Sequence, residues 1–230
     1  MTGNARDRQL FAAAAASLSA PHATVNLSVP FVDVLPVARA AISLLGDPFG
    51  VETLCASDGE AARIAELQLD LGEGPAWDAL AKRGPVLAFD IRNDSSPAWP
   101  MFSAALRGSS SRGVFSFPLY VGALGIGAID LYTDRTDMLT SEQIDDAAVL
   151  ADIAAHEILR RSLALHPSDA DNMQHSRREM HQATGMVIAQ LSVSAEDALM
   201  VIRGYAFSSG RTVRDVASDI TARRIDMSLR

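Results

Sequence analysis

The chain has 230 residues, 48% of them apolar, and a formal net charge of −8. That is enough apolar material for a full core in one or two domains. No apolar run approaches the ~20 residues of a membrane-spanning helix, and the single cysteine, Cys55, excludes an internal disulfide and a zinc finger and suits a reducing, cytoplasmic setting. The charge is uneven: residues 1–172 carry a net −10 and residues 173–230 a net +2. Such a tilt hints at a nucleic-acid-binding end, although it is milder than a strongly basic footprint. Lys82 is the sole lysine, so phosphate contacts at the C-terminal end fall to arginine, backbone amides or helix N-termini.

In chain order, residues 1–30 read as an N-terminal segment with a short alanine-rich helix, frayed at its start. Asp7 between Arg6 and Arg8 argues against a cleaved leader. A helical pattern at Phe31–Arg39 is interrupted by Pro36. Ala41–Leu45 and Val51–Ala56 flank GDPFG and predict a hairpin. Asp58-Gly59 is a turn signal, and Gly72-Glu73-Gly74-Pro75 breaks the chain before a short helix at Ala76–Lys82. Pro85–Phe89 reads as a strand. Val114–Val121 and Leu124–Tyr132 read as two strands around a tight turn. Thr140-x-x-Gln143 is a capping-box pattern that opens a long helix reaching about Leu165. Strands joined by hairpins and flanked by helices predict an α+β layer rather than a doubly wound sheet.

Enzyme motifs fail on inspection. His156-Glu157 begins HEILR, with Arg160 where a second zinc ligand would stand, so the pair reads as solvated surface. GALGIG at Gly122–Gly127 has no lysine after it and lies within a hairpin. Asp90, Asp94, Asp145, Asp146 and Asp152 are scattered at element ends and read as surface. No catalytic residue, metal ligand set or cofactor is predicted. Trp77, Trp99, Phe115 and Phe117 are candidates for lining a pocket, with plain core the commoner fate of buried aromatics. On the long helix Ile144, Ala147 or Ala148, Ala151, Ala155, Ile158, Leu159 and Ser162 form a small-residue seam. It suits either a dimer interface or packing on the chain's own sheet.

The stretches LQLDLGEGPAWDAL, GPVLAFDIRND, WPMFSAAL and GVFSFPLYVGALGIGAIDLYTDRTDMLTSEQIDDAAVLADIAAHEI resemble the GAF domain found in actinobacterial regulators, over 31–165. The resemblance implies a central antiparallel sheet with flanking helices. Two readings of its role stand: a sensor of an unidentified small molecule or signal, and, more in line with the usual fate of buried aromatics, a dimerisation module with a filled core. Ala76 stands where such domains often carry cysteine.

After a linker at 166–172, placed on Leu165-His166-Pro167, three short helical patterns follow. The first, about Asp171–Leu191, places Met173, Met180, Thr184, Val187 and Leu191 on one face. Arg178, Gln182, Gly185 and Ala189 form a second strip, whose charge, amide and small residues would let a nucleic acid approach closely. Gly185 in mid-helix costs about 1 kcal/mol relative to alanine, so a contact or close-packing reason is expected. The second helix starts at Ser194, with Asp197 three residues on, carries Ala198, Val201, Ile202 and Tyr205 inward, and ends at Ser209-Gly210. The third starts at Thr212, with Asp215 following, and turns Val213, Val216, Ala217 and Ile220 inward. Arg211 and Arg214 sit near its N-terminus. Residues 223–230 read as a polar tail.

QATGMV with Ala183 and Gly185, SAEDAL with Ala198, IRGYA with Tyr205 and Ala206, and GRTVRDVA with Val216 and Ala217 resemble the ANTAR domain over 173–222. This resemblance implies a three-helix bundle that binds paired RNA stem-loops as a dimer and prevents terminator formation. Thr184 stands where the family commonly has lysine, and Ile188 where methionine is frequent. The expected contact residues are Arg178, Gln182, Ala183, Gly185, Tyr205, Arg211 and Arg214, although the spacing of Tyr205 with Ala198 and Ile202 favours core for that residue. A weak net charge suits RNA loops, whose splayed bases are read by stacking and hydrogen bonds, better than a duplex gripped at many phosphates. The expectation is a cytoplasmic, non-enzymatic regulator that dimerises through helix 140–165, the ANTAR unit or both. A DNA-binding three-helix regulator and a protein-interaction adaptor are the alternatives.

Overall fold

The computed structural model describes residues 3–20, 26–91, 98–136, 139–164, 167–209 and 211–229, excluding the side chains of residues 3–6, 167–178, 196, 207 and 229. The chain divides into two units, 1–163 and 164–230. In the first, α1 (Gly3–Ser19) packs on α2 (Val29–Val34), and the hairpin β1 (Arg39–Gly46) and β2 (Gly50–Ala56) follows. Next come α3 (Gly59–Leu71), α4 (Pro75–Lys82), β3 (Val86–Ala88), α5 (Pro100–Leu106), β4 (Gly113–Val121), β5 (Leu124–Thr133) and α6 (Ser141–Ala164). The strands form one antiparallel sheet in the order β2-β1-β5-β4-β3. This is the α+β architecture expected of a GAF fold. The predicted hairpins are present, whereas the central β1–β5 pairing joins strands some ninety residues apart, Ile42 facing Ile129.

Strand alternation decides what each sheet face buries. Phe117 and Ile129 face each other across β4–β5, as do Phe115 and Leu131, and all four are buried. Trp99 is also buried, while Trp77 is half-buried and donates its indole N–H to the Gln68 carbonyl at 2.9 Å. The aromatics proposed as pocket lining are therefore packed.

Asp58-Gly59, read as a turn, is the N-terminus of α3: the Asp58 carboxylate accepts from the Ala61 N–H at 2.7 Å. The capping box of α6 forms in both directions. Thr140 N–H donates to Gln143 Oε1 at 2.9 Å, and Gln143 N–H to Thr140 Oγ1 at 3.2 Å. Along α6, Ala147, Ala151, Ala155 and Ile158 are buried within the single chain. Most of the small-residue seam is thus used for internal packing, while Ile144, Leu159 and Ser162 are partly exposed. Glu157 is no solvated surface residue either. It is 5% exposed and binds Arg160 and Arg161, which hold its carboxyl below the usual carboxylate range.

In the second unit, α7 (Pro167–Leu191), α8 (Ala195–Ser209) and α9 (Val213–Thr221) pack pairwise, with a short 3₁₀ turn at Met227–Leu229 lying on α7. The segment expected as a linker at 166–172 is helical from Pro167 onward. The tail expected to be only polar returns Met227 to the bundle, 7% exposed, with its N–H on Gln190 Oε1 at 3.1 Å.

Candidate functional site

Two places carry unusual chemistry. The first is a buried carboxylate in the sheet. Asp130 on β5 lies between Ala41 of β1 and Ser116 of β4, both small, which leaves room above it for a side chain from α3. Gln68 fills that room and donates its Nε2 to Asp130 Oδ2 at 2.6 Å. Ser116 Oγ donates to Oδ1, and the Tyr132 hydroxyl lies 3.3 Å from Oδ2. With no cation among these partners, burial pushes the Asp130 carboxyl up to about 6, despite the three hydrogen bonds that favour its ionised form. The Tyr132 phenol is raised as well, by burial first and by Asp130 second.

The GEGPA turn holds this cluster in place. Gln68 Oε1 accepts from the Ala76 N–H at 3.0 Å, fixing which end of the amide faces Asp130. Gly74 has φ +140°, and a β-carbon there would lie 2.4 Å from Gln68 Oε1, so both conformation and space demand glycine. Glu73 caps α5 by accepting from the Met101 and Phe102 N–H groups at 2.7 and 2.8 Å. One turn thereby joins α3, α4, α5 and the buried acid. Cys55 is half-buried, and burial pushes its thiol up, so it stays protonated near neutrality.

The second place is the helical unit. Its core comprises Ala183, Val187, Ala198, Ile202, Ala206, Val213, Val216, Ala217, Ile220 and Met227. Two local caps fix the helix starts. Ser194 Oγ accepts from the Asp197 N–H at 3.1 Å, and Thr212 Oγ1 from the Asp215 N–H at 3.1 Å. On α7, Gln182, Gly185 and Ala189 are exposed on the side away from Ala183 and Val187. A β-carbon at Gly185 would meet nothing within 4 Å, so no contact within the chain requires glycine there. Arg214 is exposed on the first turn of α9, while Arg211 binds Asp219 at 2.6 Å.

Residues 169–220 match the ANTAR domain. No curated protein matches the chain. Solved structures resemble it at low identity. The GAF domain of a phosphoenolpyruvate-protein phosphotransferase from Coxiella burnetii has a TM-score of 0.55 and 16% identity, and covers 71% of this chain and 99% of that one. The corresponding domain from Acinetobacter has a TM-score of 0.53 and 10% identity, with coverage of 70% and 98%. Free methionine-R-sulfoxide reductase from Neisseria meningitidis, solved with its substrate, has a TM-score of 0.50 and 15% identity, with coverage of 70% and 93%. These likenesses establish the fold. At 16% identity or less they assign no activity.

Within the ANTAR unit the expected contact residues separate. Gln182 and Gly185 share the outer strip of α7, and Arg211 and Arg214 flank the start of α9. The strip points away from the core that α7 shares with α8 and α9, so these are two surfaces. The side chain of Arg178 lies outside the described residues. Ala183 is fully buried; it serves close helix packing and offers no contact surface. Tyr205 packs against the core, as its spacing with Ala198 and Ile202 allowed. Thr184, in the place of the usual lysine, is 9% exposed and donates its hydroxyl to the Met180 carbonyl at 2.8 Å. Asp130, Gln68 and Asp219 escaped the sequence reading. For Asp130 a signal existed: an acid amid the apolar run GIGAIDLY, a pattern that marks a buried polar group.

Proposed function

We propose that this chain is a regulator of transcription antitermination that binds RNA stem-loops as a dimer through its ANTAR domain, under the control of its GAF domain. The match of residues 169–220 carries this reading. The bundle supports it with a side-chain-free patch at Gly185 beside Gln182, with Arg214 on the first turn of α9 near its N-terminal amides, and with Arg211 held on Asp219. Dimerisation is assigned to the ANTAR domain rather than to the α6 seam. The GAF domain is read as the input.

Crosslinking the protein in its host and sequencing the bound RNA tests the reading. Enrichment of structured leader transcripts is expected. Recovery of no structured RNA, or binding only to duplex DNA, would refute it, the latter in favour of a DNA-binding regulator.

A further inference from the structure

The arginines of the ANTAR unit are not equivalent. At the end of α9, Arg223 takes the left-handed conformation (φ 57°), its N–H donating to the Ile220 carbonyl at 2.9 Å. The next N–H, of Arg224, reaches back to the Asp219 carbonyl at 2.7 Å. This is a Schellman closure, in which residues at the places of 219 and 224 are brought together, usually as an apolar pair. Here the pair is ionic: Arg224 Nε donates to Asp219 Oδ1 at 2.6 Å. The other carboxylate oxygen, Oδ2, accepts from Arg211 at 2.6 Å. Arg211 in turn is fixed at the far end of α9, where its N–H donates to the Ala206 carbonyl at 3.0 Å.

One carboxylate therefore holds two guanidinium groups, from residues thirteen positions apart. It is itself shielded, with a side-chain exposure of 18% against 37% for Arg211 and 60% for Arg224. The two arginines hold its proton off, keeping it ionised below the usual carboxylate range. The cluster carries a net positive charge. Each guanidinium uses only some of its five N–H donors on Asp219, leaving others for an acceptor outside.

We propose that Asp219 is a positioning residue, which orders Arg211 and Arg224 as one preformed pair for the RNA phosphate backbone. This rests on the RNA-binding reading and deepens it, adding Arg224 to the contact surface. A long side chain that must be immobilised on binding weakens affinity. Ordering the pair beforehand removes that loss, and the geometry suits the forked guanidinium's preference for phosphate oxygens.

Synthetic tandem stem-loop RNAs with randomised loops, titrated with the full chain, provide the test. Asp219→Ala is expected to weaken binding about threefold to tenfold, although it makes the protein one charge more positive. In an Arg211→Ala/Arg224→Ala background the same change is expected to have no further effect, which a merely structural role for Asp219 would not produce. Unchanged or tighter binding by Asp219→Ala overturns the proposal, because the carboxylate would then only mask the arginines. If Asp219→Ala does not fold, Asp219→Asn, which keeps one acceptor oxygen, carries the measurement with a smaller loss expected. Arginine Nε–Hε NMR signals separate the two levels of the argument. Ordered signals for Arg211 and Arg224 that become averaged in the variant show the positioning whether or not RNA binds. Wild-type failure to bind any stem-loop would sink the functional reading alone, whereas averaged signals already in the wild type would sink the positioning role.

Discussion

Gly185→Ala separates stability from recognition. A β-carbon at this exposed helical position would meet nothing within 4 Å, so the substitution carries no steric cost within the chain. It should instead remove the helix penalty of glycine and stabilise the ANTAR unit by about 0.5–1 kcal/mol. If the outer strip of α7 lies against RNA, the same methyl intrudes on a close approach. Overpacking of that kind costs about 1–3 kcal/mol, roughly a fivefold to hundredfold loss in Kd. Urea denaturation and stem-loop titration on the same preparations read the two effects, and Gly185→Leu should enlarge the binding loss. A stabilised protein whose affinity is untouched by either variant would remove Gly185 from the contact surface. A destabilised Gly185→Ala would contradict the open surroundings of the residue.

Other perturbations follow from single contacts. Asp130 has its carboxyl raised from 3.8 to about 6, so its contribution to stability is complete below the unfolded value and is lost as pH rises through about 6. The difference amounts to about 3 kcal/mol. Denaturation of the wild type relative to Asp130→Asn between pH 4.5 and 7 should show about 2 kcal/mol of that decline, and a flat difference would contradict it. Arg211→Ala should weaken stem-loop binding by more than about 1 kcal/mol, read by titration, with the helical content by circular dichroism unchanged. Thr140→Ala removes one half of the α6 capping box and Thr212→Ala the cap of α9; each should cost about 1 kcal/mol, measurable as a lowered urea midpoint.

What was legible in the sequence was local. Thr140 with Gln143, Ser194 with Asp197 and Thr212 with Asp215 form their caps as spaced, and GDPFG closes the hairpin of β1 and β2. The misreadings arise where one residue type serves two purposes. Asp58-Gly59 is both a turn signal and a good helix start, and Pro167, which argues for a boundary in sequence, is itself helical. Ala183 is small in the manner of a contact residue and in the manner of a packing residue, and the bundle uses it for packing. Non-local partners left no local trace. Gln68 meets Asp130 across 62 positions, Glu73 caps a helix 28 residues away, and α5, with seven residues, is too short for a periodic signal. Arg224 looked like tail because the αL turn at Arg223 has no glycine to announce it.

Competition binding puts the central claim to its most direct test: the full chain, at one fixed salt concentration, offered labelled tandem stem-loop RNA against unlabelled duplex DNA of equal phosphate number. Retention of the RNA at a large excess of DNA is the predicted result. Displacement of the RNA by an equal amount of DNA would contradict the account.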